Sequence, residues 1–187
     1  MSLSANDIGF RNVIKDLCSR TDFPNNNQNI HTPFSLCNEI PGKLNEFTDL
    51  NDKIILTLNL EFIEILCYDF GVERKNIWFV TDCKQKANIL KHPRYKGVNV
   101  VITNYISWIT DMKFDIICGN PPYNVPNNRN KDGVANGQCL WKDFIKSSFQ
   151  YLKPEGFLCL IHPSTWRRPE DELWNLMSSK QIHYLEI

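Results

Sequence analysis

Short runs of β-branched and aromatic residues alternate along this chain with segments of helical period. Six runs have the length and composition of strands, at residues 53–58, 76–81, 98–103, 114–118, 156–161 and 182–187. Apolar residues at helical spacing lie between them, at residues 60–70, 84–91, 138–152 and 170–180. Several strands are apolar on both faces, as expected when a parallel sheet is covered on both sides. The succession predicts an α/β fold with a doubly wound, mostly parallel sheet.

Polar residues directly follow the apolar runs. In a doubly wound sheet, ligands bind beyond the carboxyl ends of the strands. The residues in these positions are Asn59, Asp82, Asn104, Asn120 and His162. The start of a loop would explain any one of them alone, but together they predict a ligand cleft along one rim of the sheet. No second metal-type ligand flanks His162, so no metal site is predicted.

The first 30 residues differ in character from the rest. They contain one short amphipathic piece, IGFRNVIKDLC, followed by a polar tract of turn composition, DFPNNNQNIH. We therefore predict an N-terminal arm and linker at residues 1–30 and a single domain at residues 31–187. A domain of that length can bury a substantial core.

The charge balance, the cysteines and the lack of long apolar stretches indicate what kind of protein this is. Lysine plus arginine equals aspartate plus glutamate at 21 each, so the chain lacks the basic footprint of a dedicated nucleic-acid-binding module. Seven cysteines without a C-x-x-C pair are typical of reduced core thiols in an intracellular protein. No stretch resembles a signal peptide or approaches the roughly 18 apolar residues of a membrane span. We expect a soluble, cytoplasmic protein without a membrane partner.

The run at 114–118 ends in Gly119, Asn120, Pro121, Pro122 and Tyr123. Each proline restricts φ to about −65° and removes an amide donor, so the loop is stiff and extended. An amide side chain and a free carbonyl on such a loop are two acceptors at fixed separation, beside an aromatic face. This arrangement suits a planar ring that carries an NH₂ group, whose reaction would be promoted by positioning and fixed polarity.

The GNPPY motif resembles the catalytic motif of the adenine-N6 DNA methyltransferases of restriction-modification systems and phages. The order of the flanking segments is also similar, from HTPFSLC through IWFVTDC, VVITNYISW and FDIICGNPPYN to LWKDFIKSSFQYLKPEGFLCLIHPSTWR. The likeness covers about residues 31–187. It implies a Rossmann-like fold, S-adenosylmethionine as cofactor, and double-stranded DNA as partner, with the target adenine flipped out of the duplex.

The resemblance implies a role for each matching residue. Asn120 and the Pro121 carbonyl would receive the target amine, Tyr123 would stack on the extruded base, and Pro122 would contact it. Asp82 would bind the cofactor ribose, although it could instead cap the following helix. Asn104 would lie near the cofactor adenine, or be a plain loop residue. The remaining expected cofactor contacts are Thr32, Pro33 and Asn59, and the remaining substrate contacts are Trp166 and Arg167, with core packing the alternative for Trp166.

One feature departs from the family pattern. Members usually have a glycine-rich turn after the first strand, but here the sequence is LNLE, with Asn59 and Glu61 and no glycine. Either the turn is remodelled or the cofactor site has been lost, and the intact GNPPY motif favours remodelling. A non-catalytic methyltransferase-like subunit that binds DNA or a partner is the corresponding alternative function.

Two further segments bear on the substrate. Residues 124–138 are polar and too long for a tight connection, so they could close over an inserted base or be a simple loop. The chain ends within an apparent strand, so we expect a fragment whose recognition domain lies downstream or in a partner subunit. Enzymes that methylate RNA bases or protein glutamine also present GNPPY, because each target has a planar NH₂ group.

Overall fold

The computed structural model describes residues 5–19, 32–123 and 139–185. One parallel sheet of five strands lies at its centre, in the order β3-β2-β1-β4-β5. This confirms the predicted doubly wound α/β fold. The sheet reverses its winding direction between β1 and β4, which makes their carboxyl ends the expected ligand site. The strands are β1 (Ile55–Thr57), β2 (Ile77–Thr81), β3 (Asn99–Ile102), β4 (Phe114–Gly119) and β5 (Leu152–Leu160).

Six α-helices surround the sheet in the described residues: α1 (Ala5–Ser19), α2 (Phe34–Phe47), α3 (Leu60–Tyr68), α4 (Lys84–Ile89), α5 (Leu140–Tyr151) and α6 (Trp174–Ser178). Short 3₁₀ helices lie at Arg74–Asn76, Pro93–Tyr95 and Ser164–Arg167. The sequence pattern did not predict α2. This helix contains Pro41 and Gly42, two residues that disfavour a helix interior but are accommodated here by burial of its apolar face.

The central strands β1, β2 and β4 are mainly buried on both faces, as their composition indicated, whereas the edge strands β3 and β5 are only partly buried. Ile55 and Leu56 are adjacent on β1 and both fully buried, but their side chains enter different cores. Ile55 packs in the core that α1, α2 and α3 cover. Leu56 packs in the core formed with Phe144 of α5 and Tyr105. Alternation along each strand therefore explains why helices are needed on both sides of the sheet.

The N-terminal helix α1 packs on this domain. Ile14 is 1 % exposed and belongs to the core beside α3. Arg11 donates a hydrogen bond to Asp69 at 2.5 Å. The carboxylate of Glu64 on α3, itself fully buried, is bonded by Arg94 and by the Tyr95 hydroxyl at 2.8 Å. The boundary between arm and domain at residue 30 stays a prediction.

The last described residues of the chain differ from the sequence-based prediction. Residues 182–185 form no strand, so the prediction of a strand at 182–187 is wrong over this stretch. His183 instead packs its ring against Phe47 and Phe157. In the described parts of the chain, no helix has both the length and the apolar character needed to cross a membrane.

Candidate active site

The GNPPY motif begins at the carboxyl end of β4, beside the end of β1. Gly119 is the last residue of β4, and its carbonyl accepts a hydrogen bond from the Ile161 amide at 2.9 Å. Asn120 follows and is half-buried. Asn59 lies just after the neighbouring strand β1 and directly precedes α3. The motif therefore lies at the switch point between the two halves of the sheet, where this fold binds ligands.

Asn59 and Asn120 are joined by two hydrogen bonds. The Asn120 backbone N–H donates to Oδ1 of Asn59 at 2.7 Å, and Nδ2 of Asn59 donates to the Asn120 carbonyl at 3.2 Å. Gly119 permits this approach, because a Cβ at this residue would lie 2.8 Å from Oδ1 of Asn59. We refer to this pair of bonds as the Asn59 clamp. It uses both amide atoms of a residue that was predicted to bind cofactor.

The Asn120 side chain has a separate partner. Its Nδ2 donates to Oγ1 of Thr32 at 3.2 Å. Thr32 is 1 % exposed, and its backbone N–H donates to Oε1 of Glu61 at 3.1 Å. Glu61 is itself buried in the first turn of α3. Since Nδ2 of Asn120 is engaged, its Oδ1 is the atom of the amide that can accept from a substrate.

The remaining residues of the motif continue along the rim. Pro121 is buried, while Pro122 and Tyr123 are half-buried. The Tyr123 ring packs against the cluster of buried residues around Trp141. Burial raises the pKa of the Tyr123 hydroxyl, so the side chain is a neutral phenol at physiological pH. Residues 124–138, considered above as a closing loop, lie outside the described residues.

Asp82 and Asn104 follow the neighbouring strands β2 and β3, and both are exposed. A backbone hydrogen bond from Thr103 to Thr81, at 3.0 Å, holds these two strand ends together. The N-cap residue of α4 is Cys83, so Asp82 does not have the capping position that was its alternative role. Oδ1 of Asn104 accepts from the Ile106 and Ser107 amides at 3.0 and 3.2 Å, and so stabilises its own loop.

The two predicted substrate contacts beyond β5, Trp166 and Arg167, lie in different environments. Trp166 is 4 % exposed and packs with Trp141, Ile145 and Leu173. The prediction that Trp166 touches a base therefore does not fit this arrangement, and core packing explains the residue instead. Arg167 is exposed, and its Nε donates to the Ser164 carbonyl at 3.4 Å.

The sequence did not reveal the contacts that Glu61 and His162 make near the site. Glu61 holds Thr32, and its proximity to Asn59 in the LNLE turn was the signal available. The imidazole of His162 stacks on Trp141 with ring centroids 5.5 Å apart and planes 1° apart. Burial lowers the pKa of His162, a shift that a bond to the Pro163 carbonyl partly opposes. The neutral ring thus extends the aromatic layer behind Tyr123.

The parallel sheet, its switch point and the polar rim define the class as a Rossmann-like α/β fold with a ligand site at the switch point. The similarity to coclaurine N-methyltransferase bound to N-methylheliamine and SAH concerns the fold alone, with a TM-score of 0.51 at 11% identity. That alignment covers 83% of this chain and 44% of the other. A family model, the Eco57I restriction-modification methylase, matches residues 17–185. The chain belongs to this family, whose cofactor is S-adenosylmethionine.

Two curated relatives match parts of the chain. The modification methylase CviBIII of Paramecium bursaria Chlorella virus NC1A is 38% identical over 79 residues, which are 40% of this chain and 20% of that protein. The tRNA1(Val) (adenine(37)-N6)-methyltransferase of Glaesserella parasuis serovar 5 (strain SH0165) is 27% identical over 106 residues. These are 54% of this chain and 45% of the relative. The chain spans less than half the length of the curated relatives it matches.

The donor set can be compared with the chemistry of the cofactor. An exposed carboxylate after β2, at Asp82, suits a ribose diol, because carboxylates accept from such hydroxyls in related sheets. The exposed Asn104 leaves its Nδ2 available toward an adenine ring. Asn59 bonds the Asn120 backbone through both of its amide atoms, and its predicted contact with the cofactor stays a prediction. The rim therefore offers groups that fit the cofactor at Asp82 and Asn104.

Proposed function

We propose that this chain transfers a methyl group from S-adenosylmethionine to the exocyclic N6 amine of adenine in DNA. One observation carries the proposal: Thr32 engages Nδ2 of Asn120, which leaves Oδ1 as an acceptor on a stiff loop at the rim. The Pro121 carbonyl follows directly and would be the second acceptor. The assignments of Asn120, Pro121 and Tyr123 as catalytic residues are part of this proposal.

The two acceptors would act on the amine nitrogen itself. An exocyclic amine on a purine is a poor nucleophile, because its lone pair is delocalised into the ring. Acceptors that bind both of its hydrogens favour a tetrahedral nitrogen and restore the lone pair. This electrostatic effect needs no strong base, since fixed dipoles aimed at the developing charge supply it. The lone pair would form the N–CH₃ bond as the bond from the methyl group to sulfur breaks, with the sulfur keeping its electrons. The methylated nitrogen would then carry a positive charge and lose one of its two hydrogens to water as a proton, while Oδ1 of Asn120 only accepts a hydrogen bond from it.

Other residues would hold the two ligands in register. S-adenosylmethionine supplies an electrophilic methyl group when bound. Asp82 would bind its ribose hydroxyls and Asn104 its adenine, while Thr32 and Pro33, directly before α2, would contact the methionine end. Tyr123 and Pro122 would offer apolar surface to a flipped base. The exposed Arg167 could reach a phosphate of the surrounding backbone.

DNA is the favoured substrate because of the family to which the chain belongs and its likeness to a viral modification methylase. A separate recognition domain or partner subunit would read the target sequence, since the 21 basic and 21 acidic residues of this chain balance. RNA is the second candidate. It is supported by the tRNA adenine methyltransferase that aligns with 54% of the chain, and the target amine would be the same.

Transfer of a labelled methyl group is the direct test. We expect incorporation into N6-methyladenine in unmethylated genomic DNA, and a loss of at least about 100-fold in Asn120→Ala, because one of the two amine acceptors is removed. Asn76→Ala, at the opposite rim, is the control and should retain activity. Label in tRNA but not DNA would establish the RNA alternative, and label in neither would contradict the proposed activity.

Calorimetric titration with S-adenosylmethionine tests cofactor binding separately. We expect Asp82→Ala to raise the Kd by about 10- to 100-fold, the effect of losing charge-assisted hydrogen bonds of roughly 1.5–3 kcal/mol. Asp52→Ala, an exposed carboxylate that precedes β1, should bind as the wild type does. Absence of binding to the wild type at millimolar cofactor would favour a non-catalytic subunit.

A further inference from the structure

The Asn59 clamp is a two-point contact between a side-chain amide and one peptide unit on each side of the Asn120 Cα. Its bonds of 2.7 and 3.2 Å engage the N–H and the C=O of Asn120. When both groups of one residue are bound, rotation about its φ and ψ is restricted at once. The following residue, Pro121, has φ restricted by its ring, and its ψ is limited by Pro122. Few free torsions then separate Asn59 from the two acceptor oxygens.

The local structure of Asn59 indicates that its amide is reserved for this contact. Asn59 occupies the N-cap position of α3, where asparagine normally accepts a hydrogen bond from the first helical turn. Here its side chain makes no capping bond, although its backbone has the extended conformation of a cap, with φ −124° and ψ 136°. Its amide instead faces β4, across 61 residues of sequence.

The surroundings make the clamp rigid. Residues Leu60–Leu66 of α3 are all buried, so the helix that carries Asn59 cannot shift without disturbing the core. Thr57, the last residue of β1, lies two residues earlier and is fully buried, and its Oγ1 accepts from the Asn59 amide at 3.4 Å. On the other side, β4 places Gly119 so close that a Cβ there would collide with Oδ1 of Asn59.

We propose that Asn59 is a positioning residue that orients the Asn120–Pro121 acceptor pair, and that it is not a cofactor ligand. The turn that is glycine-rich in the resembling family is thus used here to support the substrate side of the site. The expected effect of Asn59 on methyl transfer rests on the proposed function, but its effect on the orientation of the Asn120 backbone does not. A glycine at residue 59 could not make either bond.

Hydrogen exchange tests the clamp without any activity. In the full chain, we expect Asn59→Ala to accelerate exchange of the Asn120 backbone N–H by at least about 10-fold, measured by NMR, because its acceptor is removed. Asn99→Ala is the matched control. Nδ2 of Asn99 also bonds two backbone carbonyls, at 2.7 and 3.2 Å, but at the amino end of β3. Asn99→Ala should leave exchange at Asn120 unchanged.

Measurements of kcat and of the Kd for S-adenosylmethionine distinguish a positioning role of Asn59 from a cofactor-binding role. We expect Asn59→Ala to lower kcat for methyl transfer by about 10- to 100-fold, since small displacements of reacting groups have effects of that size. The Kd for S-adenosylmethionine should change by less than about 3-fold. Asn59→Asp retains an acceptor for the Asn120 N–H but sets a carboxylate against its carbonyl. In this variant the Asn120 N–H should stay protected from exchange, but kcat for methyl transfer should still fall.

Each outcome decides the matter. Wild-type exchange at Asn120 in Asn59→Ala would overturn the inference, as would a Kd raised more than about 10-fold with kcat unchanged. If the wild type methylates no nucleic acid but Asn59→Ala accelerates exchange, the proposed function fails and the clamp stands. Should Asn59→Ala not fold, loss of kcat at unchanged Kd in Asn59→Asp supports the inference, and the reverse pattern overturns it.

Discussion

At the scale of single residues, the orientation of one amide determines what the site can accept. Asn120 could present either its NH₂ or its carbonyl oxygen to the rim. Thr32 engages the NH₂ end at 3.2 Å, and Thr32 is held in turn by the buried carboxylate of Glu61. Thr32, just before α2, thus orients the Asn120 amide so that its Oδ1 is the acceptor on the loop after β4.

The first prediction concerns this hydroxyl. Thr32→Val preserves the shape of the side chain but removes the partner of Nδ2, so the Asn120 amide can rotate. We expect kcat for methyl transfer to fall about 10-fold, equivalent to one net hydrogen bond of about 1.4 kcal/mol. Thr32→Ser, which keeps the hydroxyl, should remain within about 3-fold of wild type. A raised Kd for S-adenosylmethionine with unchanged kcat in Thr32→Val would instead assign Thr32 to the cofactor.

At the scale of elements, a carboxylate connects three strands at the end of the sheet opposite the site. Oδ2 of Asp115 on β4 accepts from the Ile54 amide at 2.9 Å, just before β1. Lys153 of β5 contacts both carboxylate oxygens, at 3.0 and 2.9 Å. Burial alone would raise the pKa of Asp115, but the Ile54 N–H and the Lys153 ammonium outweigh it and lower the pKa below 3.8.

The second prediction follows from the sign of this shift. A carboxyl group whose pKa is lowered by folding stabilises the protein above its unfolded pKa, and this contribution is lost as pH falls through the folded pKa. Asp115→Asn should therefore reduce the free energy of unfolding by about 1 kcal/mol at neutral pH, a small value because Lys153 is 37% exposed. The deficit should shrink as the pH falls through the lowered pKa of folded Asp115, and it should vanish once that carboxyl is protonated. Urea unfolding measures it, and a deficit independent of pH would contradict the assignment.

The elements also differ in how far local sequence could predict them. Apolar runs predicted all five strands, because the central strands are mainly buried on both faces and have no polar side to obscure the signal. The partly buried edge strands β3 and β5 still contain the apolar runs at residues 98–103 and 156–161. Pro41 and Gly42 concealed α2, whose stability comes from buried contacts that no local propensity contains. The run at 182–187 has strand composition, but a strand forms only where a neighbour pairs with it.

In the candidate site, too, the sequence predicted local features but not contacts between residues that are distant along the chain. GNPPY is contiguous, so its stiffness and its acceptors could be read from the sequence. The partners of Asn120 could not, because Asn59 and Thr32 lie 61 and 88 residues away. The sequence shows that the glycine-rich turn is missing. It does not show that Asn59 of this turn bonds the Asn120 backbone, because this contact depends on the pairing of β1 with β4. Trp166 was ambiguous because a tryptophan after a strand can face either ligand or core.

At the scale of the whole molecule, α1 is joined to the sheet domain through buried contacts. Ile14 enters the core beside α3, and Arg11 pairs with Asp69. The Arg94 guanidinium, bonded to Glu64, also lies 5.1 Å from the centre of the Phe10 ring. We therefore expect α1 to unfold together with the sheet and not before it.

The third prediction tests this cooperativity. Ile14→Ala removes a side chain that is 1 % exposed, so the free energy of unfolding should fall by about 2–4 kcal/mol in a single transition. Ile8→Ala, on the same helix but 51 % exposed, is the control and should change it by less than about 0.5 kcal/mol. Equal effects of the two substitutions in urea unfolding would show that α1 is not part of the cooperative unit.

The Asn59 clamp has a consequence for protein engineering. Grafting the five residues GNPPY onto another scaffold would transfer the prolines and the phenol, but not the distant carboxamide that aligns them. A chimera of that kind should bind its target base loosely and turn over slowly. Residues 57–61 and 119–123 therefore form one transplantable unit and should be exchanged together, with Thr32 as the third part.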